Sequence, residues 1–247
     1  MQRDIICYFR IIVDSLPIAI RNSRLLFNLS KIIFKIPEEL YHFRDNYKNG
    51  LIQDLSIYYS KDTKNSLERV SKTTDINSHH LYLIDNLLKN SKPVNILDLG
   101  CGTGFLINRI EKHFSSSKLV GIDFNAPSEE STKCNSRNNQ IQFICGDIKS
   151  SLMNFSDNHF DIVLCTHVLE HLSNPEEILF HLRRVVKEKL IIICPLEKEY
   201  KWGMNYHVNF FSTQKKFIKF LQYDFEEFFR FETFQRLGDL MYYEKYK

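Results

Sequence analysis

The amino-acid sequence predicts an α/β protein: a doubly wound, mainly parallel sheet preceded by a helical extension. Three observations carry that reading. From residue 79 onward, short apolar runs centred on Ile96, Val120, Phe143, Val163 and Ile192 alternate with helix-like stretches at 76–90, 103–114, 174–187 and 213–222. That alternation specifies strands lying parallel in one sheet with helices on both faces. Several of the runs end in an acidic residue, at Asp98, Asp123 and Asp147, and in open α/β sheets ligands bind outside the carboxyl ends of the strands. Finally, 247 residues with 43% hydrophobic content can bury one large core, and a formal charge of +3 singles out no class of partner.

The first 75 residues read as a separate helical extension, with the sheet-forming domain over 76–247. Residues 4–36 are apolar but carry Arg3, Arg10, Arg21, Arg24, Lys31 and Lys35 against only Asp4 and Asp14. No uncharged stretch there approaches the ~18 residues that span a bilayer. Arg10 and Asp14 also interrupt any signal-peptide core, and no small-residue cleavage site follows. Two readings stand. The favoured one is a set of helices forming a lid over the ligand cleft; the other is a basic amphipathic surface, residues 1–36, that touches a membrane or partner. Residues 60–78 are polar and read as the connection to the domain.

The run Ile96-Leu97-Asp98-Leu99-Gly100-Cys101-Gly102-Thr103-Gly104 is the most informative in the chain. A strand ends in a loop with glycine at alternate positions, which lets backbone approach a ligand closely. The helix that follows offers free N–H groups and a positive dipole end. The spacing departs from the dinucleotide pattern G-x-G-x-x-G, since position 105 is Phe, and no G-K-[ST] follows as in a P-loop. A second strand, Leu119 to Asp123, puts a carboxylate roughly 20 residues on, where nucleotide-binding sheets accept ribose hydroxyls. A third, Ile141 to Cys145, is followed by Gly146, Asp147 and Ile148. A fourth, Phe160 to Cys165, runs into Thr166-His167-Val168-Leu169-Glu170-His171-Leu172. Asp123 and Asp147 could also act as strand-end caps, since Asp favours local hydrogen bonding in turns.

With these motifs in this order, the chain resembles the class I S-adenosylmethionine-dependent methyltransferases over residues 79–247. The run at 96–104 is similar to their first motif, and 166–172 resembles the fourth motif of the small-molecule branch that includes the quinone and sugar O-methyltransferases. The resemblance implies a Rossmann-like, mostly parallel sheet of seven strands ending in an antiparallel β-hairpin. Phe228 to Gln235 and Leu240 to Lys245, around a turn at 236–239, are placed to form that hairpin, so that the chain is expected to end where the fold ends. It further implies S-adenosylmethionine as cofactor, with S-adenosylhomocysteine as product. The residues expected at the cofactor are Asp98, Gly100, Cys101, Gly102, Gly104, Asp123, Phe124, Asp147, Ile148, Thr166 and His167. In that family a residue matching Asp147 holds the adenine amino group, and one matching Ile148 lies against the ring.

The expected acceptor is a small molecule, methylated at oxygen on a sugar, a quinone-type or a secondary-metabolite hydroxyl. Nitrogen methylation and a non-catalytic binding module are the alternatives. A hydroxyl nucleophile must lose its proton, and histidine suits that task near neutral pH. His167, His171 and His207 all fall at the carboxyl end of the sheet. His207, in an aromatic-rich loop with the chain's only Trp, is the first candidate base and His171 the second. Glu170, His171 and His207 partly match the metal set of the small-RNA 2′-O-methyltransferases. His167 stands where that pattern has its first Glu, so no metal is expected, and the domain lacks the basic, aromatic-laced face of an RNA binder. Six cysteines without a C-x-x-C pair predict neither a disulfide framework nor a zinc site, and a cytoplasmic location.

Overall fold

The computed structural model describes residues 9, 11–55, 57, 58, 86, 88–124, 126, 141–199, 201–203, 205–221, 230–236 and 239–246. The backbone alone is described over 230–236. The connection at 60–78 and most of the helix expected at 76–90 lie outside these residues.

A single sheet organises the domain. Its strands are β1 (Asn95–Leu99), β2 (Lys118–Asp123), β3 (Ile141–Cys145), β4 (Phe160–Thr166), β5 (Val186–Pro195), β6 (Arg230–Arg236) and β7 (Asp239–Lys245), in the order β3-β2-β1-β4-β5-β7-β6. Neighbours from β3 to β5 are parallel, whereas β7 runs antiparallel to β5 and β6 antiparallel to β7. Chain order therefore reverses between β1 and β4, which opens the crevice where such sheets bind ligands. Strands β4 and β5 are buried on both faces along most of their length, as continuous apolar runs require.

Residues 11–15 of the extension are helical, followed by a helical turn, α1 (Ile18–Arg21), then α2 (Arg24–Phe34) and α3 (Leu40–Lys48). Ser23 caps α2, its hydroxyl accepting from the Leu26 N–H. The domain helices are α4 (Phe105–His113), α5 (Ile148–Met153), α6 (Pro175–Val185) and α7 (Gln214–Leu221). Proline at the first turn starts α6, and Glu176 and Glu177 there suit the helix dipole. This helix stops two residues short of the expected 187 because Val186 is already extended and pairs with Phe160. Arg183 of α6 and Glu244 of β7 form a buried ion pair, 2.6 Å apart, to which the Tyr242 hydroxyl donates.

Two apolar clusters flank the sheet, one built around Leu99, Val163, Ile192 and Leu182, the other around Ile96, Ile107, Leu164 and Ile191. A third ties the extension to the domain. Val13, Phe27, Ile36, Leu40 and Phe43 close over Trp202 and Tyr206, which belong to the loop after β5. Phe27 meets the Trp202 ring edge-on at 5.3 Å and Phe43 meets Tyr206 at 4.9 Å. Buried Arg44 completes the joint, donating to the Trp202 carbonyl at 2.9 Å and to Asn205 Oδ1 at 3.3 Å, and lying over the Phe210 ring.

Candidate active site

Gly100, Gly102 and Gly104 all take positive φ, but they do different work. At Gly100 a Cβ would collide with the Val168 side chain, so this glycine lets the β1 loop sit against the loop after β4. Around Gly102 nothing lies within 4 Å of where a Cβ would stand. The backbone at 102 is thus open and left-handed, which only glycine adopts cheaply. Gly104 caps α4 by backbone geometry, without a side-chain capping hydrogen bond.

Acidic groups converge on this loop. Asp123, at the end of β2, accepts from the Gly102 N–H at 2.9 Å. The N–H groups of Gly100 and Cys101 both reach the Ile122 carbonyl, at 2.8 and 3.1 Å, clamping the loop onto β2. Asp98 is buried at the end of β1, and among the described residues neither of its carboxylate oxygens has a hydrogen-bond partner. Burial, with the nearby Asp123 charge adding to it, pushes the Asp98 carboxyl up to about 8. Burial also raises the Cys101 thiol, helped by the same two carboxylates. A cationic ligand head lying over the open glycine would relieve all three. S-adenosylmethionine has such a head, so the residues fit the cofactor expected from the sequence.

Other expected cofactor residues are placed differently. Asp147 is the N-cap of α5, with Oδ1 accepting from the Ser150 N–H and hydroxyl, both at 2.8 Å. Its local role is therefore the capping one, and only its second oxygen is left for a ligand. Ile148 is buried in the main apolar cluster beneath α5. Phe124 is exposed just beyond β2, its carbonyl accepting from the Cys145 thiol. Thr166 ends β4 beside Ile193 of β5, on the other side of β1 from Asp123.

The three histidines after β4 and β5 meet in one polar cluster, yet they are not chemically equivalent. His167 adopts φ +56°, and its ring bridges two carboxylates: Nδ1 lies 3.3 Å from Glu170 and Nε2 3.6 Å from Asp239. Burial alone would lower its affinity for a proton, but Asp239 and Glu170 outweigh it and raise the imidazole to about 9. His167 is thus a cation near neutral pH and no base. His171 shows the reverse. Burial first, and the neighbouring His207 next, push it down to about 4, so it stays neutral.

Glu170 has no exposed surface. Burial raises its carboxyl, but the hydrogen bond and charge of His167 overcome that and leave it below the usual carboxylate range.

His207 is held by a carboxylate of its own. Its Nδ1 lies 2.6 Å from Glu197 Oε1, both side chains being nearly inaccessible. The His171 and His207 rings meet edge to face, centroids 4.6 Å apart. Asn209 locks the two segments together, donating to the carbonyls of Leu169 and Leu172 at 2.8 and 2.7 Å, while the N–H groups of Val208 and Asn209 reach the Glu170 carbonyl. Among the described residues, Glu170, His171 and His207 each offer a ligand atom within 4.8 Å of the others, a spacing at which a metal ion could be held.

Glu197 and Asp239 were not singled out from the sequence. Glu197 carried the same signal as Asp98 and Asp123, an acidic residue just past an apolar strand. Asp239 arrives from an antiparallel strand, opposite Pro195, and local sequence gave no sign of it.

Comparison with known proteins agrees with this geometry. Residues 97–194 match the family model described as a methyltransferase domain. Over 104 residues, 38% of this chain and 32% of the relative, the sequence is 27% identical to the mitochondrial ubiquinone biosynthesis O-methyltransferase of Dictyostelium discoideum. Over 115 residues, 45% of this chain and 42% of the relative, it is 30% identical to the malonyl-[acyl-carrier protein] O-methyltransferase of Halalkalibacterium halodurans. The matches thus span less than half the length of these curated relatives. Among solved structures, the plantazolicin methyltransferase BpumL, in complex with a monoazolic desmethylPZN analog and SAH, superposes with a TM-score of 0.57. That match covers 85% of this chain and 97% of that one at 18% identity, a likeness of fold.

Proposed function

We propose, for a chain whose residues 97–194 form a class I S-adenosylmethionine-dependent methyltransferase domain, that it transfers a methyl group to a hydroxyl of a small-molecule acceptor. The observation that carries the choice of oxygen is the Glu197–His207 pair. S-adenosylmethionine supplies an electrophilic methyl on a sulfonium, which a nucleophile displaces in line while the electron pair goes to sulfur. An alcohol or phenol doing so must give up its proton, whereas a neutral amine attacks unaided. With Glu197 accepting from Nδ1–H, the free lone pair of His207 sits on Nε2, the tautomer a general base needs.

The rest of the cluster supports that division of labour. His167 stays charged between Asp239 and Glu170 and holds the loop after β4 in its left-handed bend. His171 stays neutral against the base, so no second imidazolium competes with a proton arriving on His207. Gly102, Asp98 and Asp123 take the cofactor, and Asp147 contributes its free oxygen. The extension, residues 1–75, acts as a lid: its cluster with Trp202 and Tyr206 braces the loop that carries His207. The relatives named as O-methyltransferases support transfer to oxygen.

Isothermal titration with S-adenosylmethionine and S-adenosylhomocysteine tests the cofactor site, followed by transfer of labelled methyl to a panel of phenols, sugars and amines. Binding lost in Asp123→Ala, with label entering hydroxylated acceptors, is the expected result. Binding with label entering only amines would overturn the oxygen assignment. Failure of the wild type to bind would favour a non-catalytic module.

A further inference from the structure

Helix α2 is apolar on two faces, and among the described residues only one of them is covered. Phe27 and Ser30 are fully buried toward Trp202 and α3. On the opposite side Leu25, Leu29, Ile32 and Ile33 follow one another at i, i+4, i+7 and i+8, with 71%, 48%, 77% and 61% of their surface exposed. That spacing is a single helical stripe. Just ahead, Ile11, Ile12, Ile18 and Ile20 are also about half exposed or more. Isolated surface leucines need no explanation, but a stripe of this kind marks an interaction surface.

The charge around the stripe says what covers it. Among the described residues up to 36, Arg21, Arg24, Lys31 and Lys35 stand against Asp14 alone. Glu38 engages two of the cations, Arg24 and Lys31, but at positions nearly half exposed, where such pairs hold weakly. Two copies of this face would set like charges against one another. An anionic headgroup layer would instead complement the cations while the apolar side chains sink to the acyl boundary. No helix among the described residues is long and apolar enough to cross a membrane, so the contact is a peripheral one.

We propose that the outer face of α2, with the turn before it, docks onto the surface of an anionic phospholipid bilayer. The face lies on the far side of the same helix that supports Trp202, and the proposal stands independently of the methyl-transfer reading. Co-sedimentation of the full chain with phosphatidylcholine vesicles, with and without phosphatidylglycerol and at low and high salt, tests it. The wild type should pellet with the phosphatidylglycerol vesicles and be released by salt. The double variant Leu25→Gln/Ile32→Gln should bind them about tenfold more weakly while keeping its melting temperature and its binding of S-adenosylhomocysteine. A wild type that ignores both vesicle types, or a double variant that pellets equally, would overturn the proposal. So would a wild-type dimer in sedimentation that the double variant dissolves, since the stripe would then belong to a second copy.

Discussion

Glu197 Oε1 lies 2.6 Å from His207 Nδ1, two buried groups brought together across the loop that leaves β5. Neither is fixed by regular structure. The loop is held by an isolated parallel bridge between Leu196 and Phe211, by Asn209 on the 169–172 turn, and by Arg44 reaching in from α3. If this pair removes the acceptor proton, His207→Gln should lower kcat by ~10²–10⁴ with little change in S-adenosylhomocysteine affinity. Glu197→Gln should cost less, roughly 10–100-fold, since the base remains but its tautomer is no longer enforced. Single-turnover rates with saturating cofactor would measure both. Equal rates in wild type and His207→Gln would remove His207 from the chemistry.

His167 and Asp239 give a stability prediction with a defined window. The imidazole titrates near 6.5 in an unfolded chain and about 9 in the folded one. Below pH 6.5 it is protonated in both states, so the contribution of its two carboxylate partners is fully present. Between 6.5 and about 9 the unfolded chain loses the proton and the folded chain keeps it, so that contribution declines; above about 9 it is gone. Its ceiling is on the order of 3 kcal/mol, reduced by the partial exposure of the ring. In denaturant titrations the advantage of wild type over Asp239→Asn should therefore shrink from pH 6 to pH 9.5. A constant difference would show that the pairing does not hold His167 charged.

The sheet was legible because β1, β2, β4 and β5 are mostly buried and apolar and its helices amphipathic, so periodicity reports them directly. The three strand-end carboxylates were legible for the same reason, their positions following from where the strands stop. The roles of the histidines were not. His167, His171 and His207 look alike in sequence. What separates them is Asp239 from an antiparallel strand, Glu197 from another loop, and burial, all of them long-range. Asp147 shows the converse: its capping bond to Ser150, three residues away, is local and was among the readings the sequence allowed.

Asp98 stands buried with no hydrogen-bond partner among the described residues, its carboxyl raised to about 8. A raised carboxyl favours unfolding: from about pH 4 upward the unfolded chain ionises this group and the folded chain does not. Asp98→Asn removes that imbalance, so the variant should melt above the wild type at pH 8 and by a smaller margin at pH 5. The same change deletes a carboxyl that a bound cationic cofactor head would draw into its ionised form, and should weaken S-adenosylmethionine binding by about 10–100-fold, as loss of a charge-assisted partner does. Melting curves at the two pH values and a titration would show whether stability and affinity move in opposite directions. A variant less stable at pH 8 would mean that Asp98 is ionised and paired in the folded chain.

Two glycines in one loop should answer alanine differently. At Gly100 the new methyl strikes Val168, and at positive φ the backbone cannot easily turn away. Gly100→Ala should cost stability of about 1–3 kcal/mol through strain and overpacking. At Gly102 the methyl enters open space, so only the left-handed backbone penalty of about 1–2 kcal/mol applies. That open space is where a bound cofactor would approach the chain, so Gly102→Ala should lose far more affinity for S-adenosylhomocysteine than Gly100→Ala at matched residual stability. Measuring affinity below the melting onset of each variant separates the two effects. If Gly102→Ala binds as tightly as wild type, the cofactor does not approach this backbone, and the cluster formed by Asp98 and Asp123 would need another ligand to explain it.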